Sequence, residues 1–118
     1  MYEGSYHMSS KQYSFLIQSD IMHAITNHNN IMPGERMTLL DGIILCLVKS
    51  FQDKKQKFYM SNKEIGKLCA SNESTIQRSI NRLLSMGLLH AEKIYYGQQP
   101  RRYLTYNEWT LQDFISLS

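Results

Sequence analysis

Ser61-Asn62-Lys63-Glu64-Ile65-Gly66-Lys67-Leu68, followed by Asn72-Glu73-Ser74-Thr75-Ile76-Gln77-Arg78-Ser79-Ile80-Asn81-Arg82-Leu83, is the stretch that decides how this chain folds. Ser61 with Glu64 three residues later is a reciprocal helix cap: the hydroxyl accepts from one free backbone amide and the carboxylate from another. The helix it opens turns Ile65 and Leu68 to one side and Lys63 and Lys67 to the other, and polar residues return at Ser71. Asn72 is placed to cap a second helix. Ile76, Ile80, Leu83 and Leu84 then fall on one apolar stripe, while Ser74, Gln77, Arg78, Asn81 and Ser85 fall on the opposite one. Gly87 stands where a helix ends in a left-handed residue, which glycine adopts without steric cost. Only Cys69-Ala70-Ser71 separates the two helices. Two short helices joined so tightly, the second amphipathic, predict a helix-turn-helix over 61–86.

The flanks extend the pattern. Thr38 with Asp41 three residues on predicts a longer helix near 39–51, with Leu40, Ile43, Ile44, Leu47, Val48 and Phe51 at helical spacing. Asp is shorter than the usual Glu or Gln, so the reciprocal bond is expected to be less secure. Residues 52–57 read as a charged loop and Phe58-Tyr59-Met60 as a short β-like run. Leu88 and Leu89 lead into a strand through Tyr95, Gly97-Gln98-Gln99-Pro100 is turn-forming, and 101–106 reads as the returning strand. Asn107 is placed to cap a last helix over 108–117 that carries Trp109, Phe114, Ile115 and Leu117. Toward the N-terminus, 13–17 reads as a short strand, Ser19 as the cap of a short helix with Ile21, Met22 and Ile25, and Asn27–Gly34 as a loop. Residues 1–12 show little pattern and read as a flexible N-terminus, leaving 13–118 as a single domain.

Helix, short strand, helix, turn, helix, strand, turn, strand is the order of a winged helix-turn-helix. That is a mainly α, α+β fold with a small β-hairpin, the wing, here at 88–106. The expected core is Leu40, Ile44, Leu47, Val48, Ile65, Leu68, Ile76, Ile80, Leu83, Leu84 and Leu89.

The chain has 118 residues and a net charge of only +3, but the charge is unevenly spread. Residues 49–102 hold eleven Lys/Arg against four Asp/Glu, a local +7, while the remainder is −4. A basic middle between acidic ends points to a polyanionic partner. The longest apolar run, Gly42 to Val48, is far short of the roughly 18 residues of a membrane span. Residues 1–10 lack the basic-then-apolar pattern of a secretory signal. Cys46 and Cys69 fall in apolar helical stretches and are expected to be free thiols in a reducing compartment.

Leu39 to Tyr106 resembles the winged helix-turn-helix domains at the N-termini of phage and plasmid replication initiation proteins and of related prokaryotic DNA-binding regulators. The motifs that carry the resemblance are S-N-K-E-I-G-K-L at 61–68, N-E-S-T-I-Q-R-S-I-N-R-L at 72–83, M-G-L-L at 86–89 and R-R-Y-L at 101–104. In such domains the first is the positioning helix, the second the recognition helix, and the third the helix end that drops into the wing. Where they usually carry Gly-Val or Gly-Ile in the turn, this chain has Ala70-Ser71, and alanine reaches positive φ less readily. The resemblance implies double-stranded DNA as partner and replication initiation, plasmid partition or transcription control as the role. It also implies a cytoplasmic, nucleoid- or plasmid-associated location, and a replication or partition protein as a further partner.

A recognition helix reads the major groove with side chains that match base edges, Arg with guanine and Gln or Asn with adenine. Gln77, Arg78 and Asn81 are of that type, and Asn72, Ser74 and Thr75 suit phosphate at the helix N-terminus. Lys63 and Arg82 complete the candidate contacts of the helix-turn-helix, and Lys93, Gln98, Gln99, Arg101 and Arg102 those of the wing, where backbone or minor-groove contact is expected. Glu73 opposes phosphate. Two half-sites about one helical turn apart favour a homodimer, with Trp109, Phe114, Ile115 and the segment 13–26 as its expected contacts. The alternative is a protein-interaction winged helix, an inhibitor or adaptor that does not bind DNA. Enzyme readings lack parts: His7, His23, His28 and His90 are scattered, no metal-ligand spacing or phosphate-cradling glycine loop occurs, and no cofactor is expected.

Overall fold

The computed structural model describes residues 5–9, 14–97 and 99–117. In chain order the elements are β1 (Ser5–Ser9), β2 (Ser14–Gln18), α1 (Ser19–Ile31), α2 (Leu39–Asp53), α3 (Asn62–Cys69), α4 (Glu73–Ser85), β3 (Leu89–Tyr96), β4 (Gln99–Tyr106) and α5 (Glu108–Ser116). Two antiparallel hairpins, β1–β2 and β3–β4, flank α1 to α4 in the chain, and α5 follows the second. This is the α+β architecture of a winged helix-turn-helix.

Helix α2 is the centre. It packs against α1, β2, α4 and β4. It is therefore apolar nearly all round: Leu45 and Cys46 are buried along with the expected Ile44, Leu47 and Val48. Helix α4 lays Ile76, Ile80 and Leu83 into the same core, each contributing about 1.5–3 kcal/mol by burial, and that total outweighs any helix-propensity term. Of the expected core, Leu40, Leu68 and Leu84 are only partly buried, at its margin. Gly42 lets α1 come close; an added Cβ would meet the Met22 sulfur at 2.5 Å and Ile25 Cδ1 at 2.7 Å.

The Thr38–Asp41 box forms in full, with Thr38 Oγ1 accepting from Asp41 N at 3.2 Å and Asp41 Oδ2 accepting from Thr38 N at 2.9 Å. The short carboxylate does more than cap. Asp41 is fully buried, its Oδ1 accepts from the Ser79 hydroxyl, and both its oxygens accept from Arg82 Nη1, at 2.8 and 3.0 Å. One group thus closes the start of α2 and fastens α4 to it.

Both helix-turn-helix caps form as read. Ser61 and Glu64 exchange 3.1 Å bonds, and Asn72 Oδ1 accepts from Thr75 N at 2.8 Å. The turn is closed by Ser71 N donating to Gly66 O at 2.9 Å. Gly66 is required there, because a Cβ would stand 2.4 Å from the Ser71 carbonyl oxygen. Ala70 does take the left-handed conformation, φ 54° and ψ 44°. Helix α4 ends on Gly87, φ +74°, with Gly87 N bonded to Leu84 O and Leu88 N to Leu83 O, both at 3.0 Å.

Phe58 pairs with Leu104 as an isolated antiparallel bridge, through Leu104 N donating to Phe58 O at 3.0 Å. Gln52 clamps the end of β4: its Oε1 accepts from Tyr106 N at 2.9 Å and its Nε2 donates to Tyr106 O at 3.0 Å. The root of the wing is thereby tied to α2.

The N-terminal reading needs correction. Ser5–Ser9 is a strand paired with Ser14–Gln18, from Ser5 opposite Gln18 to Ser9 opposite Ser14, where residue pattern gave no element; 1–4 and 10–13 lie outside the described residues. Ser19 is the first residue of α1; Gln18 occupies the cap position, without a side-chain bond. Asn27 to Ile31 continue α1 instead of forming a loop. The reason is tertiary: Asn29 brackets the backbone of Met37, donating to its O and accepting from its N, both at 2.7 Å. The helix stops at Met32, which is extended, because Pro33 follows.

Two stability outcomes follow. Asp41→Ala leaves the Arg82 guanidinium and the Ser79 hydroxyl without their acceptor, and denaturant unfolding should show a loss of roughly 3–5 kcal/mol. Ala70→Gly relieves the left-handed strain of a Cβ, about 1–2 kcal/mol, against about 0.4–1 kcal/mol of unfolded-chain entropy, so the same measurement should show a net gain of up to about 1.6 kcal/mol.

Candidate nucleic-acid interface

Burying one face of α4 fixes what the other presents. Ser74, Gln77, Arg78 and Asn81 are exposed in a row along the helix, as their spacing requires. Ile76 and Ile80 are buried between them. At the N-terminal end, the Asn72 side chain is occupied as a cap, and the half-buried Thr75 hydroxyl accepts from Arg78 Nη2 at 3.4 Å. Lys63 and Lys67 stand exposed on α3 beside an open cleft that runs past the turn to Asn72 and Glu73.

Arg82 is not a free contact. It lies at the edge of the stripe, but its side chain is 16% exposed, bound to Asp41 at 2.8 Å and close to Glu35 through Nε at 3.3 Å. The Glu35 approach is an ion-pair distance without hydrogen-bond alignment, since Arg82 Nε is buried and makes no hydrogen bond. Its charge is spent inside the fold.

The wing divides in the same way. Lys93 and Arg101 are exposed, and the tip turns at Gly97, φ +62°. The Arg101 guanidinium lies 4.6 Å from the Tyr59 ring centroid, and Lys57 Nζ lies 4.7 Å from that of Tyr103. The two tyrosines meet edge-on at 5.8 Å. Stacking uses the face of the guanidinium and leaves its N–H edge available. Arg102 turns inward, donating to Met60 O at 2.6 Å and to Asn62 Oδ1 at 2.8 Å, and burial lowers its pKa. The expectation of a free phosphate contact at Arg102 is corrected accordingly. Gln98 lies outside the described residues, and Gln99 is described only as backbone, the first residue of β4.

Asn62 is the residue that sequence reasoning missed. Its Nδ2 donates to Gln77 Oε1 at 2.6 Å, and Gln77 Nε2 donates to Asn81 Oδ1 at 2.8 Å. The wing, α3 and α4 therefore share one chain of side-chain bonds. Between the tip-side half of β4 and the starts of α3 and α4 is an open cleft of about 600 Å³, lined by Tyr59, Lys63, Glu73, Pro100, Arg101 and Arg102 among others.

Elsewhere, the expected dimer residues separate. Ile17, Ile21 and Ile25 of the 13–26 segment are buried in the chain's own core. Phe114 and Ile115 pack partly against that core, with the His28 and Phe114 ring centroids 6.0 Å apart, whereas Trp109 is 82% exposed. Burial pushes the Cys46 thiol up to about 11, so it is a packing group and not a nucleophile at neutral pH. Among the described residues no His/Cys/Asp/Glu group of three has metal-binding geometry, and no helix is long and apolar enough to cross a membrane.

Residues 35–89 match the family described as helix-turn-helix domain. The match spans α2, α3, α4 and the first residue of β3. Among solved structures, the chain is similar in fold to a possible transcriptional regulator from Methanosarcina mazei Go1, at 16% identity and a TM-score of 0.53, covering 95% of this chain and 83% of that one. No curated protein matches it in sequence.

The two arginines of α4 should separate experimentally. Arg82→Ala should cost about 3 kcal/mol or more by denaturant unfolding, since it leaves the buried Asp41 charge unpaired. Arg78→Ala, on the exposed face four residues earlier, should change stability by less than about 0.5 kcal/mol.

Proposed function

We propose that this chain binds double-stranded DNA, with α4 in the major groove and the β3–β4 wing against the flanking backbone or minor groove. The observation that carries this reading is the exposed row Ser74, Gln77, Arg78 and Asn81, on a helix whose other face is locked into the core. Of these, Arg78 has the bidentate geometry that matches a guanine edge, and Gln77 and Asn81 that which matches adenine. They lie within the segment of local charge +7. Lys63, Lys67, Lys93 and Arg101 supply the exposed cations that meet phosphate, and the first amides of α4 point the same way.

The cellular roles that fit such a domain are transcription control, replication initiation and plasmid partition on a phage or plasmid, in the cytoplasm and at the nucleoid. The solved neighbour's description as a possible transcriptional regulator agrees with the first of these. A homodimer through α5, where Trp109 is exposed, would present two copies of α4 to half-sites about one turn apart.

A random-duplex selection with the purified protein should enrich a motif. On that motif, Arg78→Ala should cost roughly 1–3 kcal/mol and relax preference at one base position. Arg101→Ala and Lys93→Ala should weaken preferred and scrambled duplexes alike, each flattening the slope of log affinity against log salt by about one. Equal loss on both duplexes for Arg78→Ala, with loss of preference for Arg101→Ala, would reverse the roles of helix and wing. No effect from any of the three would move the contact surface off α4 and the wing, and enrichment of no duplex would replace DNA binding with protein docking.

A further inference from the structure

We infer that Asn62 and Arg102 are positioning residues for base readout: together they set the direction in which Gln77 and Asn81 present their amides. This rests on the DNA-binding reading. The chain runs Arg102 to Asn62 at 2.8 Å, Asn62 to Gln77 at 2.6 Å and Gln77 to Asn81 at 2.8 Å. Its sense is imposed from one end. A guanidinium carries donors and no acceptor, so Asn62 must turn its Oδ1 toward Arg102. Its Nδ2 then faces Gln77, which must answer with Oε1. Gln77 Nε2 in turn faces Asn81, which must answer with Oδ1, and this leaves both N–H groups of Asn81 for the groove. Arg102 is itself held, because it also donates to Met60 O at 2.6 Å.

An amide reads adenine by offering an acceptor to one base atom and a donor to the next, so a flipped amide reads a different pattern. Without the chain, each amide samples both orientations and must be ordered on binding, which weakens association. The wing therefore acts on base choice through α3, without touching a base.

Asn62 is distant from Gln77 in sequence and is not itself on the reading face, so its substitution separates positioning from contact. Asn62→Ala should leave affinity for a scrambled duplex within about twofold and weaken the selected duplex by about tenfold, or about 1.4 kcal/mol. Preference at one or two neighbouring base positions should flatten. Asn62→Asp keeps the shape but has no donor, so Gln77 must turn its Nε2 inward and the chain beyond it reverses. The selected base at those positions should then change identity. In the free protein, the side-chain amide NMR signals of Gln77 and Asn81 should move in both variants. Parallel loss on both duplexes, with unmoved amide signals, would reduce Asn62 to a structural residue. If Asn62→Ala kept the wild-type motif and affinity, the positioning role would fall while DNA binding stood. If the wild type enriched no duplex at all, the DNA reading itself would fall and the positioning role with it.

Discussion

The buried carboxylate of Asp41 is the joint on which the exposed polar row of α4 depends. It caps α2, receives the Ser79 hydroxyl and pairs with Arg82. Hydrophobic burial holds α4 against the core but is indifferent to small rotations about the helix axis. Bonds from Ser79 and Arg82 to one fixed acceptor remove that freedom. The polar row on the far side of α4 then faces outward at one defined angle. Taking a carboxylate out of water is expensive, and it is tolerated here because every lone pair in use has a donor.

The helix-turn-helix was legible because its signals are local. Ser61 with Glu64, Asn72, Gly87 and the stripe Ile76–Ile80–Leu83 each act within one or two turns of chain, and all appear where the residues place them. What was not legible depends on distant partners. Arg82 has the look of a phosphate ligand until Asp41, 41 residues earlier, claims it. Arg102 similarly depends on Asn62, 40 residues earlier. Asn27 to Asn30 form a run of turn-prone residues that stays helical because Asn29 has Met37 to hold and His28 has Phe114 to pack on. A strand at Ser5–Ser9 needs its partner at Ser14–Gln18 to exist at all, and its polar composition does not announce it.

These internal pairings change how the basic middle of the chain should be understood. Arg82 and Arg102 count toward the local +7 but are committed within the fold, as is Lys49 through its pair with Asp53. The cations left facing solvent include Lys63, Lys67, Arg78, Lys93 and Arg101, on α3, α4 and the wing. The exposed positive charge is thus smaller than composition implies, and it is shared between α3, α4 and the wing on one side and Lys54, Lys55 and Lys57, exposed in the segment after α2, on the other.

The anchoring of β4 makes the wing a lever with its fulcrum near Leu104. There the strand is held by Phe58, and two residues further on it is held by Gln52. Gly97 at the tip stands about 23 Å out along the hairpin, while Arg102 stands about 7 Å from the fulcrum, at roughly 3.3 Å per residue. A stiff hairpin swung at its tip would move Arg102 by about a third as much. Ångström-scale flexing outside would reach the amides of α4 as a displacement of fractions of an ångström, which is the scale on which a hydrogen bond is kept or lost.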